Sequence, residues 1–580
     1  MNANEFDVLK SIYLNNSASQ RKLSALTELS LGKINKSIKL LKDDGFINED
    51  MSISEKTEKL VSENKPEAAI ILSAGYGIKM MPLCRDIPKA LLEVKGEILI
   101  ERLINQLHDV GIPRIYVVVG YMKEKFDYLI DKYNVELVVN NDYKTKNNLH
   151  SLNIISDKIA NSYIVPSDIW CSENPFSSVE LYSWYMVSKE KTCNSKLKFN
   201  RKRELINIGS NEEGSKEIGI AYICKNDSSK LKNNIKSLEK SDSYNTAFWE
   251  KAILLNGNCV LKANTVNKDF CLEINTYDDL VKADINSVSL NCEYIEIISK
   301  ALNTSKEKIN SISSLKSGMT NRSFIFSCDN KRYIFRIPGE GTDKLINRKY
   351  EYDVYCQIKD KNICDNIVYI NPQNGYKITE FIENSRRCDP YNDKDVVDCM
   401  DVLKKLHDNK LSVDHFFDIF EQIEYYEQLR NGNSVYQDYN SIKENVFKLK
   451  KYVDEQDKEY CLTHIDAVPD NFIISNTGIK LIDWEYSAMQ DPHVDIAMFA
   501  IYSLYDKSRT DFLIDTYFDN KCSKSTRLKI YCYIAACGLL WSNWCEYKST
   551  LGVEFGEYSL RQYRYAKDFY RYFSEEINNE

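Results

Sequence analysis

Residues 464–471, HIDAVPDN, lie between two apolar runs and are followed by IDWEYS at residues 482–487. The first stretch holds Asp466 and, five residues on, Asn471; Asp483 comes twelve residues after Asn471. A hydroxyl that attacks the γ-phosphate of ATP needs a carboxylate to orient it and accept its proton, and a metal ion to bridge the phosphates. We expect Asp466 to be that carboxylate, and Asn471 and Asp483 to be ligands of Mg²⁺.

The sequence around these residues supports the same interpretation. A short predicted hairpin, NFIISNTGIKLID, separates Asn471 from Asp483, and this spacing predicts the catalytic loop and metal loop of a kinase-like fold. Asp495, in DPHVDIAMF, is expected to brace the catalytic loop. His464 is expected to bond within its own loop and not to act as the base.

From about residue 295 to the end, the chain resembles the choline kinase branch of the aminoglycoside phosphotransferase-like superfamily. The resemblance implies that SLKSGMTNRSFIF covers the phosphates, with Gly318, Thr320 and Asn321 near the nucleotide. It also implies that Arg336 replaces the lysine of protein kinases, with Glu351 as its partner on a helix. The loop has one glycine and DWE replaces DFG, so a protein substrate is not expected.

The choice of small-molecule substrate is expected to depend on aromatic side chains. Trp541 and Trp544 are three residues apart in GLLWSNWCEY and share one face of a predicted helix, where they could hold a cation that donates no hydrogen bonds. Glu485 and Tyr486 could fix the ammonium end and the hydroxyl. The alternative is that both tryptophans pack in the core, as large aromatic residues usually do.

Residues 66–285 show apolar, strand-like segments that alternate with helical patterns, which predicts a mostly parallel sheet with helices on its faces. Ligands of such sheets gather at the carboxyl ends of the strands. The first strand breaks into a turn that contains Gly75 and Gly77, whose backbone amides can approach phosphate oxygens. Lys79 and Lys89 follow, and two such cations could neutralise a triphosphate and its departing pyrophosphate.

Through these residues, and through GIPRIYVVVGY, YIVPSDIWCSENPF and CLEINTYDDL, the segment resembles the nucleotidyltransferase family, and within it the bacterial phosphocholine cytidylyltransferases. The resemblance implies that Gly75 and Gly77 line the nucleotide. It implies that Lys79 contacts the phosphates and that Lys89 stabilises charge at the attacked α-phosphate.

The same resemblance implies a Mg²⁺ site in which Asp168 holds the ion, with Glu273 or Asn275 near the second ligand position. Two residues depart from the family. Lys79 stands where arginine is usual, which replaces a planar fork with a point charge. Asn275 stands where many members have aspartate, although an amide oxygen still suits a hard cation. The alternative is that the glycines only form a turn and Asp168 caps a helix.

Aromatic residues of the middle segment suggest where an amino alcohol could bind. Trp170, Phe248 and Trp249 could form a cage for a quaternary ammonium group. The alternative is that they are core residues, which is the commoner role of buried aromatic side chains.

Residues 1–63 carry three short helical patterns and a hairpin-like tail, the plan of a winged helix-turn-helix. Lys33, Lys36, Lys39 and Lys42 lie on the third helix with no acidic residue until Asp43, so that one face could contact DNA phosphates. The segment as a whole holds 9 basic and 10 acidic residues, which leaves open a small regulatory or interaction domain with a solvated lysine face.

The length of the chain predicts several domains, because 580 residues exceed what one hydrophobic core supports. The net charge of −8 is spread out, which argues against a chain that binds nucleic acid or a membrane surface throughout. The 17 cysteines form no CxxC pair and follow no apolar leader, so we expect reduced thiols and neither disulfides nor a zinc site. The apolar run YCYIAACGLLW, shorter than the roughly 20 residues that cross a bilayer, predicts a buried helix.

Together these patterns predict a winged helix-turn-helix at residues 1–63, an α/β nucleotidyltransferase domain at 64–289 and a two-lobed α+β kinase-like domain at 290–580. Phosphorylation of choline by ATP would supply phosphocholine. Coupling of phosphocholine to CTP would then release pyrophosphate and give CDP-choline, which would serve to decorate a surface glycan or lipid with phosphocholine. Both steps would use Mg²⁺. We expect a cytoplasmic enzyme without membrane insertion; the sequence permits DNA binding by the first domain and a homo-oligomer.

Two alternatives remain open from the sequence. The chain could be a DNA-binding regulator whose enzyme-like domains sense metabolites, which the winged helix and the departures at Lys79 and Asn275 suggest. It could also perform the same chemistry on ethanolamine or another amino alcohol. The sequence does not choose between CTP and UTP.

Overall fold

A computed structural model of the chain describes residues 1–15, 19–195, 197–209, 212–241, 243–255, 259–315, 321–339, 342 and 345–578. The chain divides into two compact units. The first comprises Met1–Lys300 with Thr304–Ser314, and the second comprises Ala301–Asn303 with Leu315–Glu580.

The N-terminal module is helical, with α1 (Ala3–Asn15), α2 (Gln20–Thr27), α3 (Leu31–Asp43) and α4 (Glu55–Glu63). Ser19, Ser30 and Ser54 precede three of these helices, and each hydroxyl accepts a backbone N–H of the first turn. The predicted hairpin-like tail is wrong in part. Only a bridge between Ile47 and Ile53 forms, and residues 55–63 are helical because Ser54 caps a new helix there.

The N-terminal module shares a core with the rest of the first unit. Val179 and Leu181 pack into the cluster formed by its helices. Around this contact, Asp7 accepts a hydrogen bond from the Tyr182 hydroxyl at 2.7 Å, and Lys10 forms an ion pair with Glu180 at 2.9 Å. The module is therefore packed against the α/β part and is not tethered to it by a linker alone.

The remaining helices of the first unit are α5 (Leu99–Asp109), α6 (Tyr128–Tyr133), α7 (Asn148–Ile154), α8 (Lys225–Glu239), α9 (Glu250–Leu254), α10 (Tyr277–Ala283) and α11 (Glu293–Ala301). Its strands are β1 (Ala68–Ser73), β2 (Glu93–Val94), β3 (Glu97–Ile98), β4 (Ile115–Val119), β5 (Glu136–Val139), β6 (Ser162–Pro166), β7 (Ile169–Cys171), β8 (Trp184–Thr192), β9 (Leu197–Phe199), β10 (Leu205–Asn207), β11 (Gly214–Ile223), β12 (Lys262–Val266), β13 (Cys271–Glu273) and β14 (Asn310–Ser314).

Seven of these strands form one sheet in the order β12-β8-β11-β6-β1-β4-β5. β6, β1, β4 and β5 are parallel neighbours, β8 and β12 are parallel, and β11 runs antiparallel to both β6 and β8. β1 (AAIILS) and β4 (IYVVV) are continuous apolar runs because helices cover both faces of the sheet. The carboxyl ends of β1 and β6 carry the predicted nucleotide residues.

One prediction about the cysteines is wrong. Cys171 and Cys271 form a disulfide, although all 17 cysteines were expected to be free thiols. The two residues lie directly opposite each other where β7 pairs with β13, across a sequence separation of 100 residues. Only the strand pairing brings them together, and the sequence does not show it.

The strands of the second unit are β15 (Asn321–Cys328), β16 (Lys331–Pro338), β17 (Ile367–Ile370), β18 (Lys377–Glu380), β19 (Arg386–Arg387), β20 (Cys461–Thr463), β21 (Phe472–Ser475), β22 (Gly478–Leu481) and β23 (Ala488–Gln490). Its helices are α12 (Arg348–Ile358), α13 (Asp393–Asp408), α14 (Ile419–Arg430), α15 (Tyr439–Asp454), α16 (His493–Tyr502), α17 (Lys507–Tyr517), α18 (Lys524–Thr550) and α19 (Glu557–Asn578).

The second unit has a small sheet and a larger helical part, as predicted. β15, β16, β18 and β17 are antiparallel neighbours, and α13–α19 surround a single large apolar cluster. The apolar run at residue 531 lies in α18, which is buried for most of its length. No helix in the described part of the chain is long and apolar enough to span a membrane. The expected fold class is confirmed for the winged helix, the mostly parallel sheet and the kinase-like unit.

Candidate active sites

A cavity of about 560 Å³ opens at the carboxyl ends of β1 and β6 in the first unit. Gly75 and Gly77 line it directly after β1. Gly77 has φ +64°, a conformation that other residues adopt with strain, and a Cβ there would come within 3.3 Å of the Cys84 sulfur. A Cβ at Gly75 would meet no atom within 4 Å, so backbone is accessible there to a ligand.

Lys89 connects the residues that were predicted to bind metal. Its ammonium group lies 2.5 Å from Asp168 Oδ2 and also donates to the Asn275 side-chain oxygen. Glu273 lies one step further out, where its carboxylate accepts from the Asn275 amide. Asp168 stands between β6 and β7 and does not cap a helix, and the backbone N–H of Ile274 donates to its carbonyl at 2.9 Å.

These side chains fit a Mg²⁺ ion by their donor chemistry. The Asp168 carboxylate and the Asn275 amide oxygen converge on one cation, the Lys89 ammonium, and hard oxygen donors of this kind are what Mg²⁺ prefers. Lys89 would then remain beside the metal to neutralise charge at the α-phosphate. A bound Mg²⁺ would add Lewis-acid polarisation of the phosphoryl oxygens.

Lysines, aromatic residues and a further carboxylate also line this cavity. Lys79, Lys144 and Lys146 join Lys89 as cations in the lining, and of these four only Lys79 and Lys89 were singled out from the sequence. Phe248, Trp249 and Glu250 also line the cavity. Sequence reasoning missed Lys144 and Lys146, which lie in the loop between β5 and α7, and Glu250, which begins α9, because single charged residues carry no motif.

Trp170 is placed apart from the other proposed cage residues. It is not among the described residues that line the cavity, and its ring lies under Lys95 at 4.0 Å and under the Arg102 guanidinium at 4.7 Å. Its π-face is therefore already used by cations of the chain. Trp249 is buried and Phe248 is 61% exposed, so that only these two aromatic residues of the expected cage face the cavity.

Asp495 holds the predicted catalytic loop of the second unit, residues 464–471, through hydrogen bonds to its backbone. Its carboxylate accepts the backbone N–H groups of His464 at 3.0 Å and Ile465 at 2.7 Å, and a contact with His407 at 2.9 Å completes its environment. The predicted bracing role of Asp495 is confirmed. The His464 ring contacts the Ile482 carbonyl at 3.0 Å, and burial lowers the pKa of His464 to about 4, so that it stays neutral and structural.

Asp466, Asn471 and Asp483 converge as the spacing predicted. The Asn471 amide donates to the Asp466 carbonyl at 2.9 Å and to its carboxylate at 3.1 Å. Burial, and then the negative charge of Asp483, raises the pKa of Asp466 well above its usual value. Asp483 itself has φ +67°, a strained conformation of the kind that persists at functional sites.

An arginine network lies beside these carboxylates. Arg336 donates to both oxygens of Glu351 at 2.6 Å, as predicted, and its guanidinium is 3.5 Å from Asp483 Oδ1. Burial opposes the ionised form of Glu351, but Arg336 and then Lys377 lower the pKa of Glu351 to about 2. Sequence reasoning missed Lys377 and also Arg348, although Arg348 stands three residues before Glu351 on the same helix.

Mg²⁺ also fits this second site. Asp483 Oδ1 is enclosed and accepts no hydrogen bond from any described residue, although Arg336 lies 3.5 Å away, so this buried carboxylate oxygen could still coordinate a metal ion. Nowhere in the described residues do three His, Cys, Asp or Glu side chains form a ready metal cluster, and the residues that would hold the ion here are Asp483 and Asn471. Mg²⁺ held by Asp483 and Asn471 would neutralise phosphate charge and lower the negative charge around Asp466.

The remaining predicted residues of this unit are placed as follows. Glu485 is buried 3.1 Å from Arg348, so that its charge is already neutralised, and its predicted contact with an ammonium group stays a prediction. The Trp541 ring is 5.6 Å from both Tyr486 and Trp544, with edge-to-face geometry, and all three are buried. Gly318 and Thr320 lie outside the described residues, and Asn321 begins β15 with a side chain that is not described.

Three family models match this chain in succession. A winged helix-turn-helix DNA-binding model matches residues 1–48, a MobA-like NTP transferase domain model matches residues 69–169, and a Choline/ethanolamine kinase model matches residues 312–563. The three matches correspond to the N-terminal module, the start of the α/β part and the second unit.

Known relatives match the same parts. Protein LicA of Haemophilus influenzae is 28% identical over 258 residues, which cover 42% of this chain and 76% of LicA. The choline-phosphate cytidylyltransferase of Streptococcus pneumoniae is 41% identical over 125 residues, which cover 22% of this chain and 55%, about half, of that relative. The 2-aminoethylphosphonate cytidylyltransferase of Lancefieldella rimae is 32% identical over 192 residues, which cover 32% of this chain and 78% of that relative.

These matches agree with the two sites described above. The transferase-like cavity lies in the segment that matches the cytidylyltransferases, and the Asp466 loop lies in the segment that matches the kinase model. The chain therefore belongs to the nucleotidyltransferase family through its middle segment, and its C-terminal segment matches the choline/ethanolamine kinase model; the chain combines a kinase and a nucleotidyltransferase behind a winged helix-turn-helix.

Proposed function

We propose that the chain phosphorylates choline with ATP and then couples phosphocholine to CTP, with release of pyrophosphate. The supporting observation is that both sites occur on one chain, and that a phosphomonoester made by the kinase is the substrate that the transferase needs. The choline/ethanolamine kinase match and the choline-phosphate cytidylyltransferase relative support this choice of alcohol and nucleotide. In both steps Mg²⁺ would be held by the oxygen donors described above and would neutralise phosphate charge.

In the kinase step, Asp466 orients the choline hydroxyl and accepts its proton as oxygen attacks the γ-phosphorus. Arg336 is held by Glu351 in a fixed orientation near the metal ligand Asp483. The aromatic residues Tyr486, Trp541 and Trp544 offer π-faces to the trimethylammonium group.

In the transferase step, an oxygen of phosphocholine attacks the α-phosphorus of CTP and pyrophosphate leaves. Lys89 neutralises charge at the α-phosphate, and Lys79 contacts the departing phosphates. Gly75 and Gly77 allow the backbone to approach the nucleotide. The product, CDP-choline, is an activated diester of diphosphate. We propose that it donates phosphocholine to a surface glycan or lipid and that it is made in the cytoplasm.

Two assays with purified protein and Mg²⁺ test this proposal. ADP should form from ATP only when choline is present, and pyrophosphate should be released from CTP only when phosphocholine is present. Ethanolamine, phosphoethanolamine and 2-aminoethylphosphonate should be assayed in parallel, because one relative is named a 2-aminoethylphosphonate cytidylyltransferase. Absence of pyrophosphate release with every phosphorylated alcohol would remove the transferase half.

DNA binding by the N-terminal module is a second candidate function. The structure exposes Lys33, Lys36 and Lys39 on α3, and they form no ion pair with any described residue. Lys42 differs from these three because it pairs with Glu49 at 3.1 Å, and Glu49 and Asp50 make the turn between Ile47 and Ile53 acidic. The exposed lysines support contact with phosphates, whereas this acidic turn opposes it.

Fluorescence anisotropy with duplex DNA over a range of salt concentrations tests this function. Affinity should fall steeply with salt, and Lys36→Gln should reduce the slope of log K against log salt by about 1. Lys42→Gln is the matched control, since its ammonium is already paired, and should change the slope less. A chain that binds no duplex DNA even at low salt would rule out this function.

A further inference from the structure

Glu250, at the start of α9, carries a carboxylate oxygen that the protein leaves unsatisfied. Its Oε1 accepts a hydrogen bond from the Tyr185 hydroxyl at 3.2 Å. Its Oε2 is enclosed and accepts no hydrogen bond from any described residue. An enclosed carboxylate oxygen without a partner is costly, and Glu250 lines the transferase cavity, so a positively charged ligand group beside it would offset its negative charge.

The surroundings of Glu250 are aromatic and held in place. The Tyr185 and Trp249 rings are 5.8 Å apart, and the Trp249 backbone N–H donates to the Asn148 side chain at 2.9 Å, which fixes the start of α9. Phe248 lines the same cavity although 61% of it is exposed. A cavity lined by a carboxylate, by the exposed Phe248 ring and by the buried Trp249 is an environment that attracts an organic cation.

The charge of Glu250 responds to such a cation. Burial, and then the nearby charge of Glu217, raises the pKa of Glu250 to about 7. A positive group against Oε2 would favour the ionised form. The same cavity holds Lys79, Lys89, Lys144 and Lys146, so its lining combines cations suited to phosphates with one carboxylate suited to an ammonium group.

We propose that Glu250 binds the positively charged head group of the phosphorylated amino alcohol and thereby selects charged over uncharged substrates in the transferase reaction. The inference rests on the proposed transferase function and adds the residue that recognises the head group. Glu250 binds substrate, and the bond changes at phosphorus do not involve it.

A charge-matched pair of substrates tests this role. Phosphocholine and 3,3-dimethylbutyl phosphate have the same shape, but only phosphocholine has a charged head. Wild-type protein should prefer phosphocholine in kcat/KM by about 10- to 100-fold, the usual range for a charged contact in an enclosed site. Glu250→Gln, which keeps an oxygen to accept from Tyr185, should remove most of this preference by raising KM for phosphocholine, with KM for CTP unchanged; the aromatic residues of the cavity account for what remains.

Two further variants control for misfolding. Glu250→Asp retains the charge and should keep part of the preference for phosphocholine, even if the shorter side chain lowers turnover. Glu239→Gln changes an exposed carboxylate at the end of α8 and should behave as wild type with both substrates. Thermal unfolding should give similar midpoints for Glu250→Gln and wild type.

The possible failures are distinguishable. If wild-type protein releases pyrophosphate and Glu250→Gln still prefers phosphocholine as strongly, the role of Glu250 is refuted while the transferase function stands. If wild-type protein releases no pyrophosphate with any phosphorylated alcohol, the transferase function fails and the role of Glu250 falls with it.

Discussion

The two sites balance their charges in opposite ways. In the first unit, one lysine ammonium, Lys89, already lies between Asp168 and Asn275 in an open cavity. In the second unit, Asp466 and Asp483 are close together in an enclosed site, and the pKa of Asp466 is raised by burial and by Asp483. The first site thus holds a lysine directly between its oxygen donors, whereas in the second Arg336 lies beside Asp483, and burial and neighbouring negative charges keep the pKa of Asp466 high.

The largest expected effect is at Asp466, the carboxylate that we propose as the base of the kinase reaction. Asp466→Asn removes this proposed proton acceptor and should lower kinase kcat by about 10³-fold, within the range measured for general bases. Pyrophosphate release by the first unit should be unchanged, because that site contains none of the same residues. Steady-state assays of both activities on one preparation check this, and equal losses in both would contradict the independence of the two sites.

The next effect concerns the arginine network of the second unit. Arg336→Met leaves Glu351 buried without its bidentate partner and should lower the free energy of unfolding of this unit by about 3–5 kcal/mol. Chemical denaturation followed by tryptophan fluorescence measures this change. Arg332→Met, at an exposed pair with Glu383, is the control and should cost less than about 1 kcal/mol. Equal effects of the two variants would show that the buried network is not a major source of stability.

In the first unit, the third effect is expected on substitution of Lys89, the cation between Asp168 and Asn275. Lys89→Met should lower transferase kcat by about 10²- to 10³-fold, the cost of losing one preorganised group that stabilises transition-state charge. Kinase turnover should stay at the wild-type level. Lys125→Met, at an exposed lysine outside the cavity lining, is the matched control. Wild-type turnover by Lys89→Met would show that Lys89 only pairs with Asp168.

The smallest effect is expected at the departure from the family pattern. Asn275→Asp adds a negative charge next to Asp168 and should reduce the Mg²⁺ concentration for half-maximal transferase activity by about tenfold. The Mg²⁺ requirement of the kinase reaction on the same protein serves as the internal control. An unchanged Mg²⁺ requirement of the transferase would place the metal away from Asn275.

Local sequence patterns predicted most of the architecture and the centres of both sites. Continuous apolar strands and their alternation with helices are encoded within short segments, so the parallel sheet could be expected. Asp466, Asn471 and Asp483 also lie within 18 consecutive residues, and a loop and hairpin are enough to bring them together. The sequence pattern did not predict α4, because Ser54, which caps this helix, lies in a segment that resembles a hairpin-like tail.

Contacts that depend on distant segments could not be predicted in the same way. The pairing of Cys171 with Cys271 and the bond from Tyr185 to Glu250 each require the register of strands and helices that lie far apart in sequence. The Lys377 contribution to the Glu351 site is of the same kind. In each case the residue type gives no signal until the fold places its partner.

The central claim is that two separate nucleotide sites on one chain act in sequence. ³¹P NMR of choline, ATP, CTP and Mg²⁺ with each protein variant tests it most directly. Wild-type protein should form phosphocholine and then CDP-choline; Asp168→Asn should accumulate phosphocholine; and Asp466→Asn should form CDP-choline only when phosphocholine is supplied. Formation of CDP-choline from choline by either variant at the wild-type rate would contradict the account.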